Sequence, residues 1–199
     1  MTKDVDIIEK KTVFQGYFRI DRYRLRHRTY AGGWTGIMTR EIFERGHAVG
    51  ILLYDPDADM VGLIEQFRLG ALAADWEPWL IEVVAGIIED GETPENVAIR
   101  ECQEESGTDP IDLIPICRYL ATPGGSSETL QLYCGRIDIR TLSGTHGLVE
   151  ENEDIRTLAV PAAEAIGWLA QGRIVNATAI IALQWLALNR EELRRRWTS

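Results

Sequence analysis

The stretch from Gly86 to Gly107 constrains this chain more than any other. It follows a strand-like run, Trp79 to Ala85, that ends at Gly86. Ile87 to Glu92 reads as a loop carrying Gly91. Thr93-Pro94 is a helix start: a threonine side chain accepts from free N–H groups of the first turn, and proline suits the first helical position. The helix is expected to run to about Ser106, where Gly107 stops it. Glu101 and Glu105 then share one face, with Cβ atoms ~5–6 Å apart, and Glu104 adjoins them. Arg100 can pair with Glu104 one turn on. Converging carboxylates repel unless a divalent cation neutralises them. Hard oxygen donors without His or Cys suit Mg2+, Mn2+ or Ca2+ rather than zinc. A solvated acidic face is the plainer reading of the same residues, and the patch alone does not overturn it.

Charge is distributed in the same sense. The 199 residues hold 31 acids and 21 Lys plus Arg, a net charge of −10. Residues 82–105 carry eight acids against one base, and 150–154 carry four more, so the acidic excess lies in two short stretches. This balance argues against a non-specific grip on a nucleic-acid backbone. Met1 to Lys11 has no apolar h-region and is not expected to be a signal peptide. No run approaches the ~18 apolar residues of a membrane span. Cys102, Cys117 and Cys134 are odd in number and lack CxxC spacing, so free thiols in a reducing cytoplasm are expected.

The first third reads as β. Tyr17 to Arg28 alternates apolar with basic residues, Gly32-Gly33 marks a turn, and Thr39 to Glu44 is a further strand. His47–Tyr54 and Met60–Phe67 flank the turn-rich Asp55–Asp59 and form a hairpin. Strands are expected at Ile114–Leu120, Leu130–Ile139 and Thr157–Val160, and helices at Pro161–Ala170 and Asn176–Trp197. Strands outnumber helices and helices fall late, which favours an α+β sandwich over a doubly wound parallel fold.

The spacing Gly86, five residues, Glu92, seven residues, Arg100-Glu101-Cys102-Gln103-Glu104-Glu105-Ser106-Gly107 resembles the signature of the Nudix hydrolases. All seven fixed positions match over 23 residues. Cys102 and Thr108 stand where that pattern asks for a bulky aliphatic residue; both are small and can pack. Further segments are similar to the bacterial ADP-ribose diphosphatase branch: Arg40 to His47, Leu63 to Arg68, Trp79 to Gly86, Pro123-Gly124-Gly125 and Gly147 to Asp154. The resemblance implies a Nudix α/β/α sandwich with a mixed sheet. It divides the chain into an N-terminal β-region, 1–45, for dimerisation and adenine-side contacts, and a hydrolase domain, 46–199. It also implies a homodimer with shared active sites and Mg2+-dependent cleavage of ADP-ribose to AMP and ribose 5-phosphate, Mn2+ being able to substitute.

The same likeness assigns roles. The Ala85 carbonyl and the carboxylates of Glu101, Glu105 and Glu153 would bind metal. Glu104 would support them, Arg100 would brace the helix carboxylates, and Glu92 would hold the loop to the helix. Glu151 matches the general base that takes a proton from water. The lead-in Thr145-His146-Gly147 suggests a mobile loop. Tyr17 and Phe18 match an adenine-stacking pair, although a buried strand pair is the plainer alternative for two aromatics. Arg40, Glu41, Arg45, Arg68 and Ile87 match other substrate contacts. Thr122, Pro123, Gly124 and Glu128 match the terminal-ribose side. His47 reads as structural, and Trp76, Trp79, Trp168 and Trp185 as core or interface.

Three alternatives remain open at this point. The same chemistry could act on another nucleotide sugar such as GDP-mannose, since the signature determines the reaction and not the base or sugar. An inactive Nudix ligand sensor would be expected to lose a metal carboxylate, and none is lost. A Ca2+-binding loop at Asp55, Asp57 and Asp59 lacks the glycine and the glutamate such loops need.

Overall fold

The computed structural model describes residues 4–142, 144–148, 150 and 152–198. They form two compact units. The smaller comprises the described residues up to His47 together with Leu120–Thr129. Its strands β1 (Val5–Gln15), β2 (Arg19–His27) and β3 (Met38–Glu44) pair antiparallel in that order. Arginines of β2 find partners across the ladder. Arg26 reaches Asp6 at 2.9 Å and Arg22 reaches Glu41 at 2.7 Å. Strand β1 escapes a period-two reading because its register shifts twice, between Ile7 and Glu9 and between Thr12 and Phe14. The 120–129 segment joins this unit through Phe43 N–H to the Gly125 carbonyl (2.8 Å) and Ser126 Oγ to the Phe43 carbonyl (2.9 Å).

The larger unit is built on a mixed sheet. Its strands are β4 (His47–Asp55), β5 (Met60–Phe67), β6 (Trp79–Glu82), β7 (Val84–Ile88), β8 (Asp112–Leu120), β9 (Thr129–Arg136), β10 (Thr145–His146) and β11 (Ile155–Pro161). Their order is β10-β11-β5-β4-β9-β8, with β6 also pairing β5 and β7 pairing β4. β4 and β9 run parallel and β4 and β5 antiparallel, as a hairpin requires. The helices are α1 (Leu69–Ala73), α2 (Pro94–Ser106), α3 (Ala162–Ala170) and α4 (Ala177–Thr198).

Side-chain alternation along β4 explains the layers. Val49, Ile51 and Leu53 pack with Val97, Ala98 and Cys102 of α2. Leu52 and Tyr54 pack on the other side with Trp168 of α3 and Leu183 and Leu186 of α4. A strand buried on both faces needs cover on both, and α2 lies on one side, α3 and α4 on the other. This is the expected α/β/α sandwich of an α+β chain. Cys102 and Thr108, the two departures from the signature, are both buried.

Four details differ from expectation. The run Trp79–Ala85 is two strands, broken at Val83, so that β6 can pair β5 while β7 crosses to β4. Gly86 therefore lies inside β7 and does not end a strand. Thr145-His146 is paired with β11 and is not a loose lead-in. Ile139 leaves β9 for a short 3-10 turn, Ile139–Thr141. Among the described residues no helix is long and apolar enough to cross a membrane.

Candidate active site

Local chemistry places α2 against β7. Thr93 Oγ1 accepts from Asn96 N–H at 3.3 Å, Pro94 opens the helix, and Gly107 closes it at φ 65°, donating to the Gln103 carbonyl. Gly107 is required twice over, since a Cβ there would also meet the His146 ring at 2.6 Å. At the facing strand, a Cβ on Gly86 would lie 1.8 Å from Oε1 of Glu101. The missing side chain leaves room for the carboxylate to lie directly on the backbone of β7. Glu105 completes the contact by accepting the Ala85 N–H at 3.0 Å.

Arg100 gathers the acids of the loop and helix. Its guanidinium donates to Glu92 (3.2 and 3.3 Å), to Glu101 (2.8 Å) and to Glu104 (3.0 Å). Burial opposes its charge, but the three carboxylates hold its pKa above the ordinary range. Glu92 also accepts the Glu89 N–H at 3.0 Å, which ties the loop to the helix start.

The arginine does not satisfy the two buried acids. Burial, with repulsion from Glu104 and Glu153, pushes Glu101 up to about 7 despite Arg100. Burial, with repulsion from Glu101 and Glu153, pushes Glu105 up to about 8 despite its hydrogen bond from Ala85. Glu105 is 3% exposed. Two buried carboxyls on one helix face, each costly to ionise there, fit a hard divalent cation that would stabilise their charged forms. Glu153 belongs to the same electrostatic neighbourhood, but its Oε2 accepts the Leu148 N–H at 3.2 Å. Among the described residues no three acidic, His or Cys side chains sit close enough to enclose an ion. The structure thus brings Glu101, Glu105 and Ala85 together and leaves Glu153 beside them. Glu151, the expected base, lies outside the described residues. Ile87 is partly exposed on β7, its carbonyl 3.5 Å from Arg100 Nη2.

Arg68 belongs to this unit as well. Its Nε and Nη2 donate to one oxygen of Glu82, at 3.0 and 2.8 Å. The other oxygen of Glu82 accepts from Asn176 Nδ2 at 2.9 Å. Glu82 and Asn176 had no assigned role in the sequence. The available signals were an acid in an otherwise apolar strand and an asparagine just before a helix, the position of an N-cap.

The other sequence-predicted contacts lie in the smaller unit. Tyr17 is 89% exposed and meets Phe18 edge-on at 4.8 Å; Phe18 rests on Phe43 at 4.9 Å. Both aromatics sit in the turn between β1 and β2, so the buried-strand alternative does not hold. Arg45 lies over the Phe18 ring and 3.3 Å from Glu128, which is buried. Arg40 and Glu41 are exposed on β3, and Thr122, Pro123 and Gly124 are exposed on their loop. The His47 ring stands next to Thr129 Oγ1 at 3.0 Å. Trp168 is in the core, whereas Trp76 and Trp79 are exposed.

Comparison with known proteins bears on the family and the fold. The NUDIX domain model matches residues 44–183. An ADP-ribose pyrophosphatase of Escherichia coli (strain K12) is 47% identical over 194 residues, covering 98% of this chain and 93% of the relative. A GDP-mannose pyrophosphatase of Cronobacter sakazakii is 31% identical over 193 residues, covering 94% and 97%. A crystal structure described as an ADP compounds hydrolase superposes with a TM-score of 0.73 at 21% identity, covering 100% of this chain and 99% of that one, which speaks to the fold.

Proposed function

The chain belongs to the Nudix hydrolase family, and we propose that it cleaves the diphosphate of ADP-ribose to AMP and ribose 5-phosphate in a reaction requiring a divalent cation, Mg2+ by preference. The observation that carries the reaction class is the pair Glu101 and Glu105, buried on one face of α2 against the glycine-lined backbone of β7. The substrate choice is supported by the 47% identity to an ADP-ribose pyrophosphatase, against 31% to a GDP-mannose pyrophosphatase.

Glu101, Glu105, Glu153 and the Ala85 carbonyl would hold the cation. When bound, it supplies positive charge that reconciles an anionic diphosphate with an acidic site, polarises phosphorus and acidifies water. Arg100 keeps Glu101 and Glu104 in place, and Glu104 supports the set. Glu151 takes the proton from the attacking water. Arg68 offers a planar cation to the substrate, and Ile87 is a further substrate contact. Tyr17 and Phe18 stack on adenine; Arg40, Glu41 and Arg45 bind polar edges; Thr122, Pro123, Gly124 and Glu128 contact the terminal ribose.

A homodimer sharing its sites through the N-terminal β-region belongs to the same proposal. Its support is that Ile7, Ile8, Val13 and Phe14 of β1 are apolar and exposed, as side chains that enter an interface are before it forms. The three cysteines are free thiols, which suits a cytoplasmic protein.

The deciding experiment is turnover of ADP-ribose, GDP-mannose, NADH and diadenosine polyphosphates with and without Mg2+. ADP-ribose is expected to exceed GDP-mannose in kcat/KM by at least ~10-fold, the scale a few specific contacts supply. Equal efficiencies would overturn the substrate and leave the reaction class standing. No hydrolysis of any member, with Mg2+ or Mn2+ in excess, would overturn both.

A further inference from the structure

Arg68 is half-exposed, yet its partner Glu82 is almost wholly buried, with side-chain exposures of 42% and 4%. A long arginine at such a boundary keeps many rotamers unless something holds it. Here both Nε and Nη2 are taken by a single oxygen, Oε2 of Glu82. Because a guanidinium is planar, engaging that edge sets the plane of the whole group and directs the Nη1 end away from Glu82. The backbone is held too, Arg68 N–H donating to the Pro78 carbonyl at 2.8 Å.

Glu82 is itself tied down. Its second oxygen accepts from Asn176 Nδ2 at 2.9 Å, and Gln66 Nε2 stands 3.5 Å from the first. The Asn176 amide has only one chemically consistent orientation. Its NH2 faces a carboxylate, and its carbonyl accepts the Ala179 N–H at 3.1 Å, capping α4. The start of α4 thus sets the amide, the amide sets the carboxylate, and the carboxylate sets the guanidinium.

The half of the Arg68 cation that stays in water is the part a substrate can reach. Arg68 also feels the charges of Glu105 and Glu153. We propose that Glu82, backed by Asn176, is the positioning residue that aims the Arg68 guanidinium at the substrate diphosphate. The inference rests on the reading of Arg68 as a substrate contact.

The test is steady-state kinetics on ADP-ribose at saturating Mg2+, together with thermal melting. It compares wild type, Arg68→Ala, Glu82→Gln, Asn176→Ala and the double variant Arg68→Ala/Glu82→Gln. Arg68→Ala should raise KM by ~10-fold or more, the scale of a lost charge-assisted bond. Glu82→Gln keeps the shape but loses the charge; it should raise KM by ~5-fold with kcat within ~2-fold. Asn176→Ala should act in the same direction by ~2-fold, and it carries the test if Glu82→Gln fails to fold. In the double variant Glu82→Gln should add nothing to Arg68→Ala, because a positioning residue has no effect once its client is gone. Additive effects, or a fall in kcat that tracks the melting temperature, would overturn the proposal. So would a normal KM in Glu82→Gln while Arg68→Ala is impaired, and that result would leave Arg68 as a substrate contact. A normal KM in Arg68→Ala would overturn the reading of Arg68 and the proposal with it. A wild-type enzyme inert on ADP-ribose would overturn the functional reading first.

Discussion

Glu95 and Glu105 sit on the same helix and differ in nothing but their surroundings. Near the helix start, Glu95 accepts a hydrogen bond from Tyr133 Oη at 2.7 Å, which holds its pKa below the ordinary carboxylate range. Glu92, just before the helix, is lowered in the same way by the Glu89 N–H and Arg100. Two to three turns on, Glu101 and Glu105 are buried and pushed up instead. The first pair contributes to stability at neutral pH. The second pair costs stability there unless something positive joins it. One helix therefore carries acids that brace the fold and acids that wait for a ligand, and sequence spacing alone does not tell the two sets apart.

The hardest blow to that contrast would come from Glu105→Gln. A metal ligand contributes several kcal/mol of transition-state stabilisation, so kcat on ADP-ribose is expected to fall by ~10^3-fold. In metal-free buffer at neutral pH the same variant should melt higher than wild type, because folding no longer has to shift a carboxyl away from its ionised state. Loss of activity with a lower melting temperature would make Glu105 another bracing acid, like Glu95.

Glu151→Gln probes the acid loop by the same logic. Removing a general base commonly costs ~10^2-fold or more in kcat. Turnover should fall by at least that, with KM and the affinity for Mg2+ largely kept. Near-normal turnover would move the base elsewhere, and a matching loss of Mg2+ affinity would make Glu151 a ligand.

Local features were legible from the residues and distant ones were not. The cap at Thr93, the stop at Gly107 and the shared face of Glu101 and Glu105 all follow from spacing within one helix, and the structure has each of them. Strand β1 was illegible because two register shifts erase its alternation. α1 was illegible because five residues are too few to show a helical period. The pairing of Glu82 with Asn176 joins residues 94 apart, and no local pattern announces it. The sequence predicts a strand end at Gly86; its use is to admit the Glu101 carboxylate, a reason visible only in three dimensions.

The pH dependence of metal-free stability sharpens the comparison next. Glu101 and Glu105 have folded pKa values raised to about 7 and about 8 from an unfolded value of 4.5. Between 4.5 and those values the folded chain binds more protons than the unfolded chain, so stability falls as pH rises. In chelator, the melting temperature at pH 5.5 should exceed that at pH 8.5 by several degrees, on the scale of ~1–3 kcal/mol after allowance for coupling of the two groups. Saturating Mg2+ should flatten the slope, because the cation binds the ionised carboxylates. The acids of the Glu95 type act in another window. Their folded pKa values are lowered, so their contribution is present above the unfolded value and is lost only on acidification below it. A metal-free melting temperature that did not fall from pH 5.5 to 8.5 would remove the distinction.

The smallest effect comes from the bracing side. Glu95→Ala deprives Tyr133 of its acceptor, and the Tyr133 side chain is buried at 4% exposure. An unpaired buried hydroxyl costs ~1–2 kcal/mol, which for a chain of this size is a melting shift of ~3–5 °C. The loss should vanish in a Glu95→Ala/Tyr133→Phe double variant, where no hydroxyl is left unpaired. Mg2+ affinity should not change, since Glu95 contributes no donor to the buried pair. A Glu95→Ala protein that melted normally but bound Mg2+ poorly would place the bracing acids among the ligands and erase the division of labour along α2.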